Sequence, residues 1–121
     1  MWDAATSVDF DEWFAALPEP AKEQVRTAVQ VLRAMGPTLG RPQVDQLKGS
    51  RHANMKELRV AAGAMVIRVA FAFDPSRTAI LLLGGDKHGV SQQRLYRELV
   101  RRADKLYEEH LAKRKDRLKG Q

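Results

Sequence analysis

The sequence predicts a single α+β domain: a pair of N-terminal helices, an antiparallel β-meander and a closing helix. Three patterns predict it. Apolar residues before Gly36 recur at helical spacing, those between Met55 and Leu83 alternate or run continuously, and helical spacing returns after Ser91.

The first helix is marked by Val8-Asp9-Phe10-Asp11-Glu12-Trp13. Asp9 reads as the N-cap with Glu12 at N3, and Val8 and Trp13 are spaced for a hydrophobic staple. The helix ends near Leu17, because Pro18 disfavours helical backbone before it. A second helix begins around Pro20, where proline is tolerated in the first turn. Ala21, Val25, Ala28, Val29, Leu32 and Met35 form its buried stripe, and Gly36-Pro37 stops it. The short link makes the two a helical hairpin.

Val44 to Leu47 is a short strand candidate. Met55 to Ala61 alternates, with Lys56, Leu58 and Val60 on one face and Met55, Glu57 and Arg59 on the other. Ala62-Gly63 turns the chain into Met65 to Phe73. There Met65, Ile67, Val69, Phe71 and Phe73 share one face, and Val66, Arg68, Ala70 and Ala72 share the other. Asp74-Pro75-Ser76-Arg77 is a type I turn signature. Thr78 to Leu83 is apolar on both faces, as a central strand covered twice would be, and Gly84-Gly85 is read as its end. The closing helix runs from about Ser91, its N-cap, along Leu95, Leu99, Ala103, Leu106 and His110 or Leu111. The basic end from about residue 113 is expected to fray.

At 121 residues the chain suits one domain spanning 1–121. No apolar run approaches the roughly 20 residues that cross a bilayer, so no membrane role is expected. The start, M-W-D-A-A-T-S, has neither the basic nor the apolar region of a secretory signal. Without cysteine the chain has no disulfide or thiolate metal site, which suits a reducing cytoplasm. The net charge of +6 is uneven: residues 1–24 hold six acids and one lysine, whereas 18 Lys/Arg and 9 acids follow from Arg41 on. That basic half is either a surface for a polyanion such as nucleic acid or a solvated face with a basic tail.

Arg68 is the most informative residue. It sits mid-strand between small neighbours, on the face that Arg59 also occupies if Leu58 and Val60 point to the core. Two converging guanidinium groups suit phosphate oxygens. The alternative is a structural salt bridge from Arg68 to Glu57 or Glu98. Gly84-Gly85-Asp86-Lys87-His88-Gly89 puts a cation and an imidazole near a strand end, and Lys48, Arg51 and His52 form a second basic loop. His52 and His88 are either acid–base groups or surface residues. Tyr96 either meets a base or a proton in transfer, or simply packs. No metal is expected: the histidines are scattered at 52, 88 and 110, and Glu108-Glu109 point apart on a helix. Neither a G-K-[ST] phosphate loop nor a G-x-S-x-G elbow is present.

The segments L-K-G-S-R-H-A-N-M-K-E-L-R, R-V-A-F-A-F-D-P, L-L-L-G-G-D-K-H-G, R-L-Y and A-D-K-L-Y-E-E-H-L together resemble the phage-derived Gp49-like/HigB toxins. These belong to the RelE/ParE superfamily of type II toxin–antitoxin systems. The resemblance implies an antiparallel sheet backed by helices and a cytoplasmic, ribosome-dependent mRNA endonuclease that needs no cofactor. In such an enzyme a substrate 2′-hydroxyl attacks the adjacent phosphate. Arg59, Arg68, Lys87, His88 and Tyr96 then become the catalytic candidates, and Lys48, Arg51, His52 and Lys56 the RNA-binding ones. The implied partners are the ribosome, mRNA and a HigA-like helix-turn-helix antitoxin. The alternative within the superfamily is a non-catalytic or gyrase-inhibiting, ParE-like protein. Three departures stand out: the strand of Arg68 reads M-V-I-R where an aromatic often precedes the arginine, the usual N-terminal strand is reduced to W-D-A-A-T-S, and Glu57 stands where some relatives carry a second lysine.

Overall fold

The computed structural model describes residues 1–86 and 92–120. Among them lie β1 (Ala4–Thr6), α1 (Val8–Ala15), α2 (Glu19–Met35), β2 (Val44–Gln46), β3 (Lys56–Ala62), β4 (Met65–Phe73), β5 (Ala79–Asp86) and α3 (Gln92–Lys119). The strands form one sheet in the order β1-β5-β4-β3-β2. It is antiparallel except for β1, which pairs parallel to β5. The expected α+β class is borne out.

The sheet is covered on both faces. On one, Ile67, Val69 and Phe71 of β4 and Leu58 and Val60 of β3 meet Phe10 of α1 and Val25 and Leu32 of α2. On the other, Ala70 and Ala72 of β4 meet Leu99, Val100, Ala103 and Tyr107 of α3. The alternation of β4 explains the asymmetry: large side chains fill one layer, while alanines let α3 approach the other. Burying each large side chain contributes roughly 1.5–3 kcal/mol relative to leaving it in water.

The N-terminus departs from expectation in a way that tertiary pairing explains. Ser7, not Asp9, caps α1. The Ser7 amide donates to the Leu81 carbonyl (3.0 Å), its Oγ donates to the Leu82 carbonyl (2.5 Å), and the Phe10 amide donates to that Oγ (2.9 Å). Pairing with β5 thus ends the strand at Ser7 and starts the helix at once. Val8 is left exposed, so no staple to Trp13 forms.

Trp13 has another partner. Its indole lies so close to Gly84 that a β-carbon there would fall 2.3 Å from the ring. Gly84 and Gly85 therefore do not end the strand: β5 runs through them, with Gly84 paired to Val69 and Gly85 to Arg68. A bulge precedes them, since Ala70 pairs with Leu83 but Phe71 with Leu81. The extra residue, Leu82, joins Leu83 in the α3-side core.

Between β4 and β5, Asp74 organises the turn. Its Oδ1 accepts from the Ser76 and Thr78 amides (2.9 and 3.1 Å), and its Oδ2 meets His110 Nε2 of α3 at 2.9 Å. Arg77 takes a left-handed φ of 65°, and its guanidinium lies 4.5 Å from the Trp2 ring centroid. Among the described residues, no helix is long and apolar enough to cross a membrane.

Two predictions follow from this packing. Gly84→Ala must push the Trp13 indole aside and should cost about 1–3 kcal/mol in a urea titration, whereas Gly85→Ala meets only an ordinary contact with Leu95 and should cost less. Burial acts to raise the Asp74 carboxyl pKa, but the His110 contact and the two turn amides outweigh it and hold it below the ordinary value. The stability this adds is complete above the unfolded carboxyl pKa of about 3.9 and fades as pH falls through the lower folded-state value. Asp74→Asn should therefore be less stable than wild type at neutral pH, with a gap that narrows as pH falls below about 4. Parallel urea curves across that range would remove Asp74 from the acid transition.

Candidate functional site

Arg59 and Arg68 stand directly opposite each other across β3 and β4, on the face that α3 covers. Two like charges at paired positions repel. Glu57, two residues before Arg59 and on the same face, removes the conflict. Its Oε2 accepts from Arg68 Nε at 2.9 Å and lies 3.5 Å from Arg59 Nε. Arg59 also donates through Nη2 to Asp45 of β2 (3.1 Å), which Arg41 approaches at 3.1 Å. The Gln46 amide, with Arg41 and Arg59, holds the Asp45 carboxyl below its usual pKa.

The remaining Glu57 oxygen belongs to the helix. Tyr96 Oη donates to Oε1 at 3.0 Å and accepts from the Lys48 amide at 2.9 Å. Burial, with Glu57 beside it, raises the Tyr96 pKa. The phenol therefore keeps its proton at neutral pH, which suits it to orient and donate rather than to act as a base. Glu57 itself is only 2% exposed, so it is a buried charge fully engaged by its partners.

These groups line an open cleft of about 600 Å3, together with Lys48, Gln93 and Arg97. Four cations thus surround one carboxylate. The salt-bridge reading of Arg68 is realised, with Glu57 as the partner and not Glu98. Yet Arg68 lends Glu57 only its Nε edge, and among the described residues its two Nη groups meet no acceptor. The position opposite Arg68 on β5 is Gly85, which carries no side chain. An anion can reach the free edge of the fork while the other edge stays held.

Of the expected site residues, Arg59, Arg68, Tyr96 and Lys48 come together here. Arg51 and His52 do not: both turn to Glu108 of α3, at 2.9 Å each, and Arg51 lines a neighbouring cleft. Lys56 lies on β3 in alternation with Glu57, on the opposite face of the sheet. Lys87 and His88, like the expected helix cap Ser91, lie outside the described residues. Gln93 and Arg97 were missed, although 93, 96, 97 and 100 follow the spacing of one helical face. Glu57 was foreseen as a salt-bridge partner but not as the centre of the site.

A family described as "Phage derived protein Gp49-like (DUF891)" matches residues 12–108. The chain belongs to this Gp49-like family. Every described residue of the cleft falls inside the matched segment. A Mycobacterium tuberculosis protein named "Putative toxin HigB2" is 45% identical over 116 residues, covering 89% of this chain and 57% of the relative. This chain thus spans little more than half of that protein's length. A second protein of the same organism, "Putative toxin HigB3", is 49% identical over 102 residues, covering 84% of this chain and 87% of the relative. The resemblance of this Gp49-like chain to HigB proteins, first evident in its strand and turn motifs, is borne out by both.

Glu57→Gln removes the charge that separates the two arginines and should lower stability by about 1–3 kcal/mol. Added sulfate should then raise the thermal midpoint of the variant more than that of wild type, because an anion can take the place of the carboxylate. Equal responses would mean that the arginines do not need Glu57 to coexist.

Proposed function

We propose that this chain is the toxin of a type II toxin–antitoxin system and acts as a ribosome-dependent mRNA endonuclease. The observation that carries the reading is the cross-strand pair Arg59–Arg68, opening with Tyr96 onto one basic cleft. The names of the two Mycobacterium tuberculosis relatives support the toxin assignment.

The chemistry fits the groups at hand. The substrate's 2′-oxygen attacks the neighbouring phosphorus, the bond to the 5′-oxygen breaks, and a 2′,3′-cyclic phosphate and a 5′-hydroxyl remain. One proton leaves the 2′-hydroxyl and one is supplied to the departing oxygen. The negative charge that builds on the phosphoryl oxygens meets the Nη groups of Arg68 and the Arg59 guanidinium. Tyr96, kept protonated, orients the nucleotide, and Lys48 adds positive charge at the rim. Lys87 and His88 follow Gly85, the register partner of Arg68, by two and three residues, and serve as the phosphate-binding and proton-transfer candidates. Ribosome and mRNA are the cytoplasmic partners, and a HigA-like helix-turn-helix antitoxin is the neutralising one.

Inducible expression in a bacterium, with transcriptome-wide mapping of mRNA 5′ ends, tests the reading. Wild type should arrest growth and create new ends inside translated codons. Arg68→Ala, still folded because Glu57 retains Arg59 and Tyr96, should reduce cleavage by about 10²–10³-fold. Arrest with DNA damage and no new RNA ends would instead point to gyrase, as in ParE-like proteins. No arrest would leave a binding protein.

A further inference from the structure

A second cleft, of about 370 Å3, adjoins the first and shares Lys48, Tyr96 and Arg97 with it. Its size falls within the roughly 300–1,000 Å3 of small-molecule sites. Tyr96 lines both, and its ring cannot swing freely: its hydroxyl is held by Glu57 and by the Lys48 amide. On the first side the Arg68 guanidinium lies 5.9 Å from the ring centroid. The phenol ring is therefore a fixed element common to both compartments.

The second compartment is built differently from the first. Gly49, at a left-handed φ of 92°, brings backbone without a side chain to the edge of Val100, where even an added β-carbon would sit 4.0 Å from a methyl. That makes an apolar patch. Around it stand Arg97, Arg101, whose guanidinium pairs with Glu98 at the surface (2.7 Å), and Arg51, which is turned to Glu108 (2.9 Å). Among the described residues of the lining the one carboxylate, Asp104, is buried and already engaged by the Ser50 hydroxyl (2.5 Å) and the Arg51 amide (2.9 Å). It presents no open acceptor to repel an anion. A small apolar seat with guanidinium planes at its edges suits a flat heterocycle attached to phosphate, since bases stack on such planes as readily as on aromatic rings.

We infer that the second cleft seats the nucleotide adjoining the scissile phosphate, its base on Gly49 and Val100 and its phosphate toward Arg97 and Arg101. This rests on the endonuclease reading above. A single strand laid across both clefts passes over Tyr96, which lines both.

The test measures binding of the full chain by fluorescence anisotropy with uncleavable ligands. These are a labelled 2′-deoxy mononucleotide 3′-phosphate, the corresponding dinucleotide, and a dinucleotide abasic at the added position. Wild type should bind the dinucleotide about tenfold more tightly than the mononucleotide, the size of one stacked base, and the abasic ligand should show little of that gain. Arg101→Glu, which removes a surface ion pair with Glu98 (2.7 Å) at a side chain 70% exposed, should abolish the gain and leave mononucleotide binding intact. No gain in wild type, or an undiminished gain in Arg101→Glu or with the abasic ligand, would overturn the second subsite. Loss of mononucleotide binding in Arg68→Ala would then still uphold the first cleft. Failure of wild type to bind any of the three would overturn the second subsite, while new 5′ ends in the expression experiment would still uphold the endonuclease reading.

Discussion

The carboxylate of Glu57 is the interaction on which the rest of the site depends. It is buried, and a buried charge is tolerable only when it is paired and hydrogen-bonded. Arg68, Arg59 and Tyr96 supply those partners, and each in turn needs Glu57. Without it, two guanidinium groups would face each other across neighbouring strands, and the phenol of Tyr96 would lose the acceptor for its proton. The same group also joins distant parts of the chain. Through Arg59 and Asp45 it reaches β2, through Arg68 β4, and through Tyr96 both α3 and the loop at Lys48. The basic cleft is thus assembled around a negative charge, which lets cations crowd together before any phosphate arrives.

That arrangement is possible because the two faces of the sheet have different work. The α1/α2 face takes the large side chains of β3 and β4. On the α3 face β4 contributes only Ala70 and Ala72 beside Ile80, Leu82 and Leu83 of β5, and the space saved along β4 accommodates charged groups. The loop before β3 is tied down separately. Ser50 and the Arg51 amide bind Asp104, and Arg51 and His52 bind Glu108. These contacts hold the Lys48 amide where Tyr96 needs it, so residues that look like a free basic loop in sequence act as its moorings.

Much of this was legible in the chain itself. Period-two patterning located β4 at the observed Met65 to Phe73 and separated Leu58 and Val60 from Arg59, and so brought the two arginines to one face. What the sequence concealed depends on partners far along it. Ser7 caps α1 because a strand 75 residues away takes its hydroxyl hydrogen, whereas Asp9 had the better local signature. The glycine pair looked like punctuation because nothing nearby shows that an indole lies against Gly84. Charge was the hardest quantity to place. Arg51 and Arg68 are equally basic in sequence, but only the fold shows that one is turned to α3 and the other to the cleft.

The contact of Trp13 with Gly84 reaches beyond stability. The two positions share one fixed volume, so neither can drift alone: an indole on α1 demands a bare backbone on β5. In lineages where position 13 shrinks, position 84 becomes free to acquire a side chain, and the pair should be read as a single inherited character. Because Gly84 adjoins Gly85, the register partner of Arg68, that trade in size is conducted one residue from the floor of the cleft. The evolutionary history of the acidic N-terminal helix is in this way tied to that of the basic site on the other face of the sheet.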